Sequence, residues 1–173
     1  MSPWSSPILL VKKPSSEYRL CFDGRKLNSV TRKDSYPLPR VDYIHSKLGN
    51  AKFLSSIDLR SAFWQIPLSA ASRKKTAFSV PGRGLFEFVR MPFGLCNAPQ
   101  TLQRLMDEVF GPELDPHVFV YLDDLIIVTP TFEEHIIILY KVLDRLKAAG
   151  FTINCEKCEF CSPSFKYLGF VVD

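Results

Sequence analysis

Long uninterrupted apolar runs are missing from this 173-residue chain. Runs such as Leu125 to Val128 and Ile136 to Tyr140 fall far short of the roughly 18 residues that cross a bilayer, so no membrane span is expected. No basic-then-apolar leader with a small-residue cleavage site opens the chain; Met1 to Pro7 is rich in Ser and Pro, and an intracellular location is the default expectation. Histidine is scarce: His45, His117 and His135 form no ligand spacing. No Ser or Cys nucleophile has a paired base nearby in sequence, which leaves hydrolase readings without residues. Five cysteines is an odd number, and without a leader they read as reduced thiols rather than a disulfide framework. A decisive charge is lacking too. The 22 Lys plus Arg against 18 Asp plus Glu give +4, which permits a polyanionic partner without pointing to one.

What is present suffices to fold. With 46% hydrophobic, 13% aromatic and 23% charged residues, the chain can bury a core, which excludes a disordered tail or low-complexity linker. Its length suits one domain or a piece of a larger multidomain protein. Ile8 to Val11, a polar turn from Lys13 to Glu17, and Tyr18 to Phe22 predict a hairpin. Tyr36-Pro37-Leu38-Pro39 predicts an extended connector, because each proline pushes its predecessor out of the helical region. A short helix is expected over Val41 to Leu48, closed by Gly49 and Asn50. Phe53 to Asp58 reads as a strand, Leu59 to Gln65 as a turn and short helix stopped before Pro67, and residues 76 to 91 as two strands around Pro81-Gly82-Arg83-Gly84. Ala98 to Phe110 predicts an amphipathic helix with Leu102, Leu105, Met106, Val109 and Phe110 on one stripe, ended by Gly111-Pro112.

Val118 to Leu122 and Leu125 to Val128 predict a tight antiparallel hairpin with Asp123 and Asp124 at its tip. A long helix follows, with a capping box at Thr131 and Glu134, a buried stripe of Leu139, Leu143 and Leu146, and an end at Gly150. Phe165 to Val172 reads as a last strand. No internal repeat interrupts the pattern, which is α+β with antiparallel hairpins rather than alternating βαβ units.

Adjacent acids inside an apolar hairpin carry a large desolvation penalty unless a cation or hydrogen bonds offset it. Asp58 ends another apolar strand and is the only acid between Asp42 and Glu87. If the two strands share a sheet, three carboxylates converge, and convergent oxygens suit magnesium. Taken singly, each acid has a plainer reading, because turns favour Asp. The pair is instead flanked on both sides by apolar β-formers and preceded by Tyr121.

Tyr121-Leu122-Asp123-Asp124 resembles the signature box of reverse transcriptases, and the resemblance extends along the chain. Ser56 to Pro67, with Asp58, looks like the first palm aspartate motif. Met91 to Pro99, with Gln103 to Asp107, looks like the segment leading into the palm helix. Tyr18 to Asn28 is similar to the fingers motif and Tyr167-Leu168-Gly169-Phe170 to the primer grip, in the same order and spacing. The match is closest to the Ty3/Gypsy class of LTR retrotransposon polyproteins. It implies a right-hand polymerase fingers and palm: fingers at residues 1–33 and 66–97, and palm at 34–65 and 98–173, its antiparallel sheet backed by helices.

The resemblance also assigns roles. Asp58, Asp123 and Asp124, with the carbonyl of Leu59, would hold two magnesium ions, for which manganese can substitute, and template-directed transfer of dNTPs to a primer 3′-hydroxyl would follow. Lys12 and Arg19 would neutralise the triphosphate, with Lys13 able to replace Lys12. Phe63 would lie under the sugar and select deoxynucleotides, although a helical aromatic is also commonly a packing residue. Phe93 would pack near the nucleotide pocket, and Gly94 would give that backbone freedom for close approach. Tyr121, Leu122, Leu168 and Gly169 would face primer and template, with Leu122 in a strained turn. The expected partners are an RNA or DNA template with its primer, dNTPs and the other domains of a parent polyprotein.

Two features depart from that pattern. Gly24 stands where the family usually has an aromatic, which is expected to remove a packing contact and loosen a strand. The expected thumb, connection and RNase H are absent from this stretch, so it reads as a fragment with weak, salt-dependent affinity for primer-template. A non-catalytic or co-opted retroelement fragment that binds nucleic acid or a protein partner is the alternative. Cys155, Cys158 and Cys161 share a two-residue spacing, but no fourth Cys or His completes a ligand set.

Overall fold

The computed structural model describes residues 2–12, 16, 18–40, 52–121, 124–162, 165–167 and 170–172, with Arg19 and the residues from 163 onward known by backbone alone. The helix expected over Val41 to Leu48 lies outside the described residues. In chain order the elements are β1 (Ile8–Lys12), β2 (Tyr18–Phe22), α1 (Arg25–Val30), β3 (Phe53–Asp58), α2 (Ala70–Lys75), β4 (Phe78–Val80), β5 (Gly84–Phe86) and α3 (Ala98–Phe110). They continue with β6 (Val118–Tyr121), β7 (Asp124–Thr129), α4 (Phe132–Ala148), β8 (Glu159–Ser162), β9 (Phe165–Tyr167) and β10 (Phe170–Val172). Short 3-10 turns cover Ala62–Gln65, Pro112–Leu114 and Cys155–Lys157. The chain forms two compact units, residues 1–35 with 62–100 and residues 36–61 with 101–173.

In the first unit β1 and β2 pair antiparallel, from Ile8 opposite Phe22 to Lys12 opposite Tyr18. The hairpin is anchored at its base: Phe22, Phe78 and Phe88 form a buried cluster against which Ile8, Leu20 and Leu27 pack. The Phe22 and Phe88 rings meet edge to face at 5.7 Å, an arrangement that adds to their burial energy. The Asp23 amide donates to the Pro7 carbonyl at 2.9 Å and the Ser6 amide to that of Ala77 at 2.8 Å. β4 and β5 form the second expected hairpin.

Two short helices were not expected. α2 begins at Ser69, whose hydroxyl accepts from the Ser72 amide at 3.3 Å, and ends on Arg73, Lys74 and Lys75; an N-cap serine and a basic last turn are the sequence signals that mark it. α1 starts directly after Gly24. Gly24 is buried, and a Cβ there would stand 2.5 Å from the Gly94 carbonyl oxygen. The expectation that Gly24 loosens the strand is therefore corrected: its missing side chain is what lets the two backbones touch. Asn28 fastens the same contact, donating to the Gly94 carbonyl at 2.7 Å and accepting from the Cys96 amide at 2.9 Å.

The second unit carries a four-stranded antiparallel sheet in the order β6-β7-β3-β8. Leu125, Ile126 and Ile127 are fully buried, so β7 is covered on both faces. Leu102, Met106 and Phe110 of α3 are buried at the i, i+4, i+8 spacing of one helix face, while Leu105 and Val109 flank them half-buried. The last carbonyls of α3 are met by Arg145, which donates to Phe110 and pairs with Glu113, satisfying groups a helix end leaves open. Thr131 caps α4 as expected, its hydroxyl accepting from the Glu134 amide at 3.3 Å.

The buried face of α4 differs from expectation. It consists of His135, Ile138, Val142 and Leu146, with Leu139 and Leu143 at its margin. A 3.6-residue period fits either stripe in a helix this rich in aliphatics, and a buried histidine decided between them. The expected final strand is also replaced: β9 and β10 pair antiparallel, Tyr167 opposite Phe170. β8 pairs with β3 through a bulge, Leu54 opposite Ser162 and Ser56 opposite Glu159, and a bulged strand breaks the even alternation from which strands are read.

Candidate functional site

The β3–β7 ladder runs from Phe53 opposite Thr129 to Asp58 opposite Asp124. Six consecutive pairs define this register. Asp58 and Asp124 thus face each other across neighbouring strands, where two like charges repel unless a cation relieves them. Asp124 is the first residue of β7, paired with both Asp58 and Tyr121. The expected hairpin tip of Asp123-Asp124 is corrected accordingly: Asp124 belongs to the ladder, while Leu122 and Asp123 lie outside the described residues.

One cation near the pair is Lys157. Its Nζ lies 3.4 Å from Asp58 Oδ2, the lysine side chain 67% exposed and the aspartate 20%. The segment before it is tied to β3, with the Asn154 amide donating to the Asp58 carbonyl at 2.8 Å and the Arg60 amide to that of Thr152 at 3.1 Å. These bonds flank the Leu59–Ile153 bridge. Carbonyls alternate sides along an extended strand, so Leu59 C=O points to the β7 side of β3. Two carboxylates and a carbonyl form an oxygen-only donor set of the kind magnesium prefers. Among the described residues no group of three His, Cys, Asp or Glu side chains is placed to hold a metal; the third acid of the expected set, Asp123, is not one of them. Sequence reasoning missed Lys157 as a site residue, because no local pattern ties it to Asp58.

Elsewhere the predicted residues fall as follows. Phe63 and Phe93 meet edge to face, ring centroids 5.1 Å apart. Gly94 has φ +99°, and a Cβ on it would lie 2.5 Å from the Phe22 carbonyl oxygen, so close approach does require glycine here. Lys12 is exposed at the last position of β1, opposite Tyr18, while Arg19 takes the ladder position opposite Val11. Tyr121 is half-buried. Leu168, Gly169 and Lys13 lie outside the described residues. Of the three spaced cysteines, Cys155 is exposed and Cys158 donates to the Asn154 carbonyl at 3.2 Å. Burial pushes the Cys158 thiol above its ordinary range, which makes it a poor thiolate ligand at neutral pH.

Comparison with known proteins places this geometry. Residues 11–172 match the family model of the reverse transcriptase (RNA-dependent DNA polymerase), and the chain belongs to that family. It is 42% identical over 176 residues to the retrovirus-related Pol polyprotein from transposon 297 of Drosophila melanogaster, covering 99% of this chain and 16% of that protein. It is 40% identical to the corresponding polyprotein from transposon gypsy of the same organism, covering 99% and 17%. A solved structure of the foamy viral protease-reverse transcriptase in complex with RNA/DNA hybrid superposes with a TM-score of 0.88 at 29% identity, covering 98% of this chain and 22% of that one. The α+β fold is that of polymerase fingers and palm. The chain spans about a sixth of the length of the curated relatives it matches.

Proposed function

We propose that this chain is the fingers and palm of an RNA-directed DNA polymerase of a retrotransposon, adding dNTPs to a primer 3′-hydroxyl against an RNA or DNA template. The observation that carries the reading is the register that sets Asp58 opposite Asp124, with Asp123 the neighbour in sequence. Residues 1–35 with 62–100 correspond to fingers and residues 36–61 with 101–173 to palm.

The family generally works with divalent metal ions, and Asp58, Asp123, Asp124 and the Leu59 carbonyl would hold two magnesium ions. When bound, such ions lower the pKa of an attacking hydroxyl and offset charge on phosphate. The chain's own residues do the rest. Asp58 and Asp124 stand on strands locked by a buried core, so their carboxylates stay fixed while the primer end is presented. Lys12 and Arg19 would bind the triphosphate by charge. The edge-to-face contact of Phe63 and Phe93 holds the Phe63 ring in one orientation, as selection against a ribose 2′-hydroxyl requires. Tyr121, Leu122, Leu168 and Gly169 would support the primer terminus.

Primer extension on a short RNA template, with magnesium and dNTPs at low salt, tests the reading. Template-dependent extension is expected, reduced at least about a hundredfold by Asp124→Asn. Extension indifferent to Asp58→Asn and Asp124→Asn would reject the site. Silence of the wild type, persisting with a thumb domain supplied, would favour a non-catalytic remnant.

A further inference from the structure

Farther along β3 and β7 from the carboxylates lies a polar chain that the polymerase reading leaves unused. His135 of α4 is fully buried, and both ring nitrogens are engaged: Nε2 lies 2.6 Å from Ser55 Oγ on β3, and Nδ1 lies 3.0 Å from Thr129 Oγ1 at the end of β7. The outer bonds fix where the protons are. Thr129 Oγ1 donates its hydrogen to the Thr131 carbonyl at 3.0 Å, so it accepts from His135, and Nδ1 carries the proton. Nε2 is then bare and accepts from the Ser55 hydroxyl. Ser55 Oγ in turn accepts from the Cys161 amide at 3.0 Å, a donor released from the ladder by the β3–β8 bulge, where Cys161 has φ +51°.

We propose that the Ser55–His135–Thr129 chain is a proton-sensitive positioning device, complete only with a neutral Nδ1–H imidazole, that holds β3, β7 and β8 in the register bringing Asp58 and Asp124 together. This rests on the polymerase reading only for what the carboxylates do. A second proton, on Nε2, would turn the Ser55–His135 bond around: Ser55 Oγ would then accept from both Nε2 and the Cys161 amide while its own hydrogen lost its acceptor, which weakens the hold on the bulge. Burial lowers the affinity of His135 for that proton. Among the described residues no charged side chain contributes to the shift. β3 presents Ser55 and the Phe53 ring at 6.4 Å, β7 presents Thr129, β8 presents Cys161, and on α4 Glu134 turns instead to His117 at 3.4 Å. Since the folded imidazole binds its proton less readily than the unfolded one, stability is full above the ordinary value of 6.5 and is lost as pH falls through it toward the folded value.

Nitrogen-15 NMR of the imidazoles together with amide hydrogen exchange on the unmodified chain tests this without reference to catalysis. The expected result is His135 with Nδ1 protonated and Nε2 bare at neutral pH, and a Cys161 amide that exchanges on the order of tenfold faster once His135 takes up its second proton. An Nε2–H tautomer, or Cys161 exchange that ignores the His135 titration, would overturn the proposal. In Ser55→Ala the hydrogen bond to the neutral imidazole is lost. The imidazolium loses the stronger, charge-assisted bond to the Ser55 oxygen, so the His135 midpoint should fall, and the acid limb of primer extension should fall with it, whereas Thr129→Ser should move neither. A merely structural role would lower the melting temperature of Ser55→Ala and leave that limb in place. If the wild type does not extend primers, the tautomer and exchange results still decide the proposal, and the polymerase reading fails separately.

Discussion

The β1–β2 and β6–β7 hairpins are both built from apolar β-formers around a short polar connection, and the structure treats them in opposite ways. In the first, Leu9, Leu10 and Val11 remain 58%, 66% and 50% exposed, and the ribbon is held at its base by Phe22 and the Gly24–Gly94 contact. In the second, Leu125, Ile126 and Ile127 are fully buried and β7 is paired on both edges. A ribbon held at one end presents its far end, Lys12 included, to solvent. A strand held along its whole length keeps Asp124 in one place. The difference matches the proposed tasks of reaching a nucleotide and fixing a carboxylate.

Truncating a buried and an exposed aliphatic breaks this comparison most sharply. Ile126→Ala should cost about 2–5 kcal/mol in urea unfolding of the chain, whereas Leu10→Ala should stay within about 0.5 kcal/mol. Similar losses at both positions would mean that the first hairpin is covered in solution. A smaller effect tests how the first hairpin is anchored. Gly24→Ala pushes a methyl group against the Gly94 carbonyl, and the same unfolding measurement should register a loss of about 1–3 kcal/mol. A neutral Gly24→Ala would show that the base of the ribbon can give way.

The smallest expected effect lies in Asp23, which follows β2. Its side-chain hydrogen bond from Arg25 and the Arg25 amide lower its pKa from 3.8 to about 2. A depressed carboxylate contributes stability that is present above the unfolded value and is lost as pH falls through the folded one. Acid titration between pH 4 and 2 should therefore destabilise wild type slightly more than Asp23→Asn. Parallel curves would show that the exposed pair adds nothing, as is common for solvated ion pairs.

Much of this was legible in the chain itself, for identifiable reasons. The β-formers of Phe53 to Asp58 and the apolar run from Leu125 to Val128 point to strands, and glycine with proline at 111–112 points to a helix end. The acids could be singled out because ionised groups stand out in apolar surroundings. By contrast, the aliphatics of α4 and His135 compete for one buried face on nearly equal terms, and the hydroxyls of Ser55 and Thr129 give the histidine its partners there. The length of an element says nothing about its neighbours. Hence Lys157, 99 residues from Asp58 in sequence, and Cys161, whose amide reaches back to Ser55, could not be joined to the site by pattern alone.

By itself the sequence determined the strand and helix periods, the punctuation between them, the family motifs and the identity of the acids, because these depend on local backbone preference and on side-chain chemistry. Tertiary structure alone decided that Asp58 stands opposite Asp124, that Gly24 is a contact rather than a gap, and that a buried histidine lies beneath the sheet. Each of these depends on register and close approach between segments far apart in the chain, where a shift of one residue or one methyl group changes the outcome.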